Sequence, residues 1–208
     1  MTTLNKLEPS KRKKGRWLCH LSDGNLLRVS ENEVVAFALY SGKELEEETL
    51  EALQKAAEKS KTRDTALNLV SLRPMSRKEL VKKLLEREVP EDEAEETAQW
   101  LTSLGLLNDE SYAAQVVRHY SAKGCGKRKI QEELYRRGVP REYWEAAMEE
   151  REDPAEAVDA FLAKKLGDDS APDRKTLQKV SNALARKGFS WSEISDGLRR
   201  RKVEIPDD

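Results

Sequence analysis

The chain has 208 residues, a formal net charge of −1, 37% charged residues and only 6% aromatic ones. That balance excludes a uniformly basic nucleic-acid coat, and it leaves little apolar material for a large enzyme core. It suffices for helical units cored by Leu, Val, Ile and Ala.

Residues 1–16 are polar and end in the basic run Lys11-Arg12-Lys13-Lys14-Gly15-Arg16, which reads as a disordered tail. Residues 17–61 read as a small α/β extension. Trp17 to Leu21 and Leu26 to Val29 form a hairpin around Asp23-Gly24, a pair favoured where positive φ is needed. Ser30 to Tyr40 begins as a capped helix, with Ser30 and Glu33 at capping-box spacing, and Gly42 ends it. Glu46 to Lys61 is acidic first and basic last, which suits a helix dipole.

From Thr62 onward the pattern is helical and repeats at an offset of 50 residues. Leu80, Ile130 and Val180 correspond, as do Leu84, Leu134 and Leu184, then Arg87, Arg137 and Lys187. Glu88 stands where the next two copies have Gly138 and Gly188, and Ala98, Met148 and Leu198 continue the register. Periods of this size mark arrays of one supersecondary unit. The expected fold is all-α, an elongated array of three tandem three-helix repeats over residues 62–107, 108–152 and 153–208. Ser76 with Glu79 and Ser190 with Glu193 supply capping boxes, and Pro74 and Pro154 mark helix boundaries.

These residues resemble the RecX family, bacterial regulators of the RecA recombinase. The resemblance covers roughly Thr62 to Arg201. It rests on Arg73, Ser76, Glu79, Leu80 and Leu84, and on Leu104-Gly105-Leu106-Leu107-Asn108-Asp109 with Tyr112-Ala113. It continues through Gly126, the basic Lys127-Arg128-Lys129, Ile130, Glu133, Leu134, Gly138 and Val139. The resemblance implies a regulator without catalytic residues, metal or cofactor. Such a protein lies along the RecA filament on single-stranded DNA and modulates ATP hydrolysis and strand exchange, and with them recombination and the SOS response. It implies weak or filament-mediated contact with the DNA itself.

The basic cluster Lys123, Lys127, Arg128, Lys129, Arg136 and Arg137 is the expected contact surface, with Arg199 and Arg200 secondary in the run Arg199-Arg200-Arg201-Lys202. The structural alternative is a solvated helix whose cations favour its C-terminus. For Arg87 and Lys187 a structural role at helix-end carbonyls is the better account, and Arg137 is open between the two. Most tyrosines of the second repeat fit core packing, while Tyr135 is undecided. An alternative function is a helical-repeat module that binds DNA directly, without a recombinase. A third is a scaffold for another protein.

No Cys-x-x-Cys pair, phosphate-cradling glycine loop or nucleophile elbow is present. Cys19 and Cys125 are too separated to imply a disulfide framework. With no apolar run approaching the ~20 residues of a bilayer span, the expectation is a monomeric, cytoplasmic protein.

Overall fold

The computed structural model describes residues 1–167 and 172–201. They form a four-stranded antiparallel sheet followed by a helical majority, divided into two units. The first holds residues 1–73 and 81–101, and the second holds residues 74–80 and those from 102 onward.

In the first unit, β1 (Thr2–Pro9), β2 (Arg16–Leu21), β3 (Leu26–Ser30) and β4 (Glu44–Leu45) stand in the order β3-β2-β1-β4. The expected hairpin is therefore β2–β3, with Trp17 opposite Val29 and Gly24 at φ +86° in its turn. The reading of residues 1–16 as a disordered tail is corrected. Thr2–Pro9 pairs with β2 on one side and β4 on the other, and Leu4 is fully buried. The strand was hidden because its partners are distant in sequence and only Leu4 and Leu7 carry its contact with the core. The basic run forms the β1–β2 connection.

Helix α1 (Glu31–Ala36) begins with the expected capping box: Ser30 Oγ accepts from the Glu33 amide, and the Glu33 carboxylate accepts from the Ser30 amide at 2.5 Å. It stops earlier than Tyr40, because Ala38 turns to φ +45°. Helix α2 (Glu47–Leu72) is one continuous rod of 26 residues, so the expected boundary at 61/62 falls inside a helix. The absence of Gly and Pro between Lys43 and Arg73 was the available signal. Its first half places Leu53 and Ala57 in the sheet core with Cys19, whose thiol burial pushes up to about 11. Its second half meets α4 (Glu91–Ser103) through the Lys59–Glu96 pair and through Arg63, 4.7 Å above the Trp100 ring.

Helix α3 (Arg77–Leu85) starts in the second unit, after Pro74. The second repeat contains α5 (Asp109–Ala122), α6 (Lys127–Arg136) and α7 (Trp144–Met148), the last preceded by a 3-10 turn at Arg141–Tyr143. The third repeat contains α8 (Pro154–Leu166), α9 (Arg174–Arg186) and α10 (Trp191–Arg200). The aligned positions share one environment: Leu80, Ile130, Leu84, Leu134 and Leu184 are fully buried, and Val180 nearly so. The second and third repeats each enclose a core of their own, one around Val117, Ile130 and Leu134, the other around Leu162, Leu184 and Ile194.

The stretch Leu104 to Ala113 owes its residue types to a turn and a cap. Gly105 takes φ +69°, Leu107 is buried, and Asn108 Oδ1 caps α5 by accepting from the Ser111 amide at 2.8 Å. Asp109 accepts from the Arg77 amide at 2.8 Å and thereby serves the first turn of α3.

Within the second unit, one junction occurs twice at the 50-residue offset. Ser76 Oγ caps α3 at the Glu79 amide and donates to the Arg137 carbonyl. Fifty residues on, the Gly126 amide donates to the Lys187 carbonyl at 2.8 Å, and the Arg128 amide to the Gly188 carbonyl at 3.1 Å. The following turns must be bare. A Cβ on Gly138 would lie 2.9 Å from the Lys78 side chain, and one on Gly188 would lie 2.3 Å from the Lys129 amide nitrogen. Glu88, at the same register with φ +63°, is exposed. A side chain fits there, at the cost of left-handed strain. Glu88→Gly should therefore raise stability by roughly 0.5 kcal/mol, strain relief exceeding the added backbone entropy. A chemical denaturation midpoint at or below wild type would contradict it.

Candidate functional site

The cluster expected from the sequence lies on α6 and the turns that flank it, and the structure separates it into two kinds of residue. Helix α6 opens at Gly126 with no side-chain cap and no acid in its first turn. Lys127, Arg128 and Lys129 occupy that turn, where the partial positive charge of the helix end disfavours cations. The alternative of cations placed to suit the dipole thus fails for these three. Two of the open amides at this end, Gly126 and Arg128, are satisfied by the carbonyls of Lys187 and Gly188.

Lys127 and Arg128 are exposed, and Lys129 is half-buried. Arg128 donates to the Ala185 carbonyl at 2.9 Å and lies 3.8 Å from Glu132. Lys129 stands 3.3 Å from Glu132 and 3.9 Å from Glu133. Lys123, exposed after α5, sits 5.5 Å from the Tyr120 ring centre. Tyr135 is 72% exposed and follows Lys127 and Gln131 at four-residue steps, so an aromatic ring stands in the same row as Lys127. Beside them, Lys127, Gln131, Arg141, Trp144 and Met148 line an open depression with Glu145 and Glu149.

Arg136 and Arg137, at the far end of α6, pair with the buried Glu133, although Arg136 itself is exposed. Glu133 is 6% exposed, and Arg136, Arg137 and Lys129 surround it. Burial pushes the Glu133 carboxyl up, but hydrogen bonds from Arg136 and Tyr120 and the nearby charges outweigh it and hold the carboxyl below its ordinary range. The Arg137 guanidinium donates to the Tyr112 hydroxyl at 2.7 Å and the Tyr120 hydroxyl at 3.4 Å. Arg137, left open by the sequence between a contact and a helix-end role, bridges α5 and α6 rather than bonding helix-end carbonyls. Lys187 has the structural role expected of it, but at the end of another helix: it donates across repeats to the carbonyls of Lys123 and Gly124, just past α5. Arg87 does bond its own helix, at the Lys83 carbonyl.

The C-terminal cations divide the same way. Arg200 grips Asp159 on α8 with two nitrogens at 2.8 and 2.9 Å, and Arg201 bonds the Gly167 carbonyl that ends α8. Arg199 is exposed, 3.3 Å from Asp196. Lys202 lies outside the described residues.

The sequence reading missed Glu133 as a hub. Its signal was spacing, since Lys129, Arg136 and Arg137 stand at four, three and four residues from it.

No group of three metal-ligating side chains occurs among the described residues, and no helix there is long and apolar enough to cross a membrane.

Three family descriptions match in succession: the RecX first three-helix domain over residues 63–101, the second over 108–148 and the third over 151–198. The chain belongs to the RecX family. A regulatory protein RecX from Limosilactobacillus reuteri is 31% identical, with the match covering 100% of this chain and 79% of the relative. Another from Clostridioides difficile is 30% identical over 96% of both chains. A crystal structure titled regulatory protein RecX superimposes with a TM-score of 0.72 at 29% identity, covering 94% of this chain and all of that one. RecX is a family of regulatory proteins, not of enzymes. Its match with the relatives runs through the sheet as well as the repeats.

Proposed function

We propose that this protein binds a RecA recombinase filament on single-stranded DNA and modulates its ATP hydrolysis and strand exchange, with the first turn of α6 as the contact. Family membership supports the partner. The observation that carries the surface is the placement of exposed Lys127, which pairs with no described residue, at a helix N-terminus where the dipole opposes it, with exposed Arg128 beside it. Such a turn suits an acidic groove or a phosphate. Lys123 and Tyr135 extend it, whereas Arg137 and Arg200 are bonded inside the second and third repeats.

The test is DNA-dependent ATP hydrolysis by the cognate recombinase, titrated with this protein. Wild type should suppress the activity. Lys127→Glu combined with Arg128→Glu should weaken suppression at least tenfold, about 1.4 kcal/mol, and should cost no more stability than the lost bond from Arg128 to the Ala185 carbonyl, about 1 kcal/mol, because acids otherwise suit that helix end. Equal suppression by the variant would remove α6 from the interface. Steeply salt-dependent binding to bare single strands, without effect on a preformed filament, would favour direct DNA binding instead.

A further inference from the structure

The N-terminal sheet carries a cleft for which the regulatory reading has no use. Strands β1, β2 and β3, the β1–β2 connection and one side of α2 line an open cleft of about 950 Å³, all within the first unit. Its aliphatic lining is Leu18, Leu26 and Leu27, with Leu26 45% exposed and Leu27 packed on the sheet core, and no aromatic ring lines it.

Cations outnumber carboxylates around this cleft, and the fold uses only some of them. Glu8 is taken by Lys6 at 2.7 Å and by His20 at 3.1 Å. Asp64 is taken by Lys13 and by the buried Arg16, both at 2.6 Å, and Arg16 also bonds Ser60. The pairs of Lys13 and Arg16 tie the β1–β2 connection to α2. Lys11, Arg12, Arg28 and Lys61 remain on the lining, and their side chains bond or pair with no described residue. The one carboxylate likewise unpaired there is Glu58. Four unpaired cations around one concavity repel one another and raise the local positive potential, which folding does not require and an anionic partner would relieve.

We infer that this cleft binds an acidic segment of a protein partner that also carries aliphatic or aromatic side chains. Its carboxylates meet Lys11, Arg12, Arg28 and Lys61, and an apolar side chain rests on Leu18 and Leu26. A nucleic acid fits less well. No ring offers the stacking that contributes about 1–3 kcal/mol per base, and a strand charged at every nucleotide would pass Glu8 and Glu58. A peptide can space its charges around them.

The experiment is fluorescence anisotropy on the full chain with a short labelled peptide in which Asp and Glu alternate with Leu. Two comparison probes are the same peptide with Ser for Leu, and an oligothymidine. The Leu peptide should bind most tightly. Arg12→Glu, Arg28→Glu and Lys61→Glu together should weaken it at least about tenfold with the thermal midpoint kept, since none of these side chains is bonded. Leu26→Ser should weaken the Leu peptide alone. The α6 double variant should bind the peptide as wild type does, so failure here is distinct from failure of the recombinase reading. Absence of peptide binding, equal binding of the Ser peptide, or tighter oligothymidine binding lost in the triple variant would each overturn the inference.

Discussion

Gly188→Ala is expected to cost about 3 kcal/mol or more and to loosen the third repeat from the second. Two effects combine at this residue. A new Cβ would meet the Lys129 amide nitrogen at 2.3 Å and its Cβ at 2.6 Å, and backbone cannot swing away as a side-chain tip can. Gly188 also holds φ +91°, a conformation that strains any residue with a Cβ. Gly126→Ala separates the two effects, because Gly126 sits at φ −78° and only the contact is lost; its Cβ would lie 2.2 Å from the Gly188 carbonyl carbon. It should cost about 2 kcal/mol. Gly124→Ala serves as the converse control. That residue has φ +66° with neighbours no nearer than 3.8 Å, so the strain alone, about 1 kcal/mol, should appear. Chemical denaturation gives the three values, and limited proteolysis near residue 153 reports the loosening. If Gly126→Ala unfolds as wild type does, the close junction between the repeats is wrong.

Glu133→Gln is expected to lose about 2 kcal/mol near neutral pH, because three cations surround this buried carboxylate and Arg137 is itself partly buried. The loss should depend on pH in one direction. The folded carboxyl titrates below its unfolded value of about 4.3. Its stabilisation is therefore complete above that value and disappears as pH falls through the lower folded one. Glutamine does not titrate, so the gap between wild type and variant should close on acidification. Urea unfolding at neutral pH and at about pH 3 measures both gaps. A gap of the same size at both would mean that Glu133 acts through shape rather than charge.

These two sites differ in how far the sequence announces them. Gly138 and Gly188 are visible as repeated glycines, but the reason for them is not. Helix termination alone would predict glycine at Glu88 too. The structure explains the exception: the two glycines face an amide or side chain from the first turn of another helix, and Glu88 is exposed. Glu133 lay in plain view as a carboxylate at helical spacing from three cations, yet spacing does not reveal burial.

What the sequence by itself determined is the periodic part. The 50-residue register placed Leu84, Leu134 and Leu184 in cores, the capping residues located α1 and α10 to within a turn, and the aligned motifs carried the family. All of that information is local, written in helical spacing and cap chemistry within a few residues. Tertiary structure alone decided the rest. Strand β1 exists because residues 16–21 and 44–45 supply its hydrogen bonds, and α2 runs on because the sheet core claims its first half. Among the eight candidate cations, folding assigns Arg136 and Arg137 to Glu133 and the tyrosines, and Arg200 to Asp159. Lys127 stays exposed in the helix turn least suited to its charge. A charge shows its sign in the sequence, but whether it is neutralised depends on which groups the fold brings within a few ångströms.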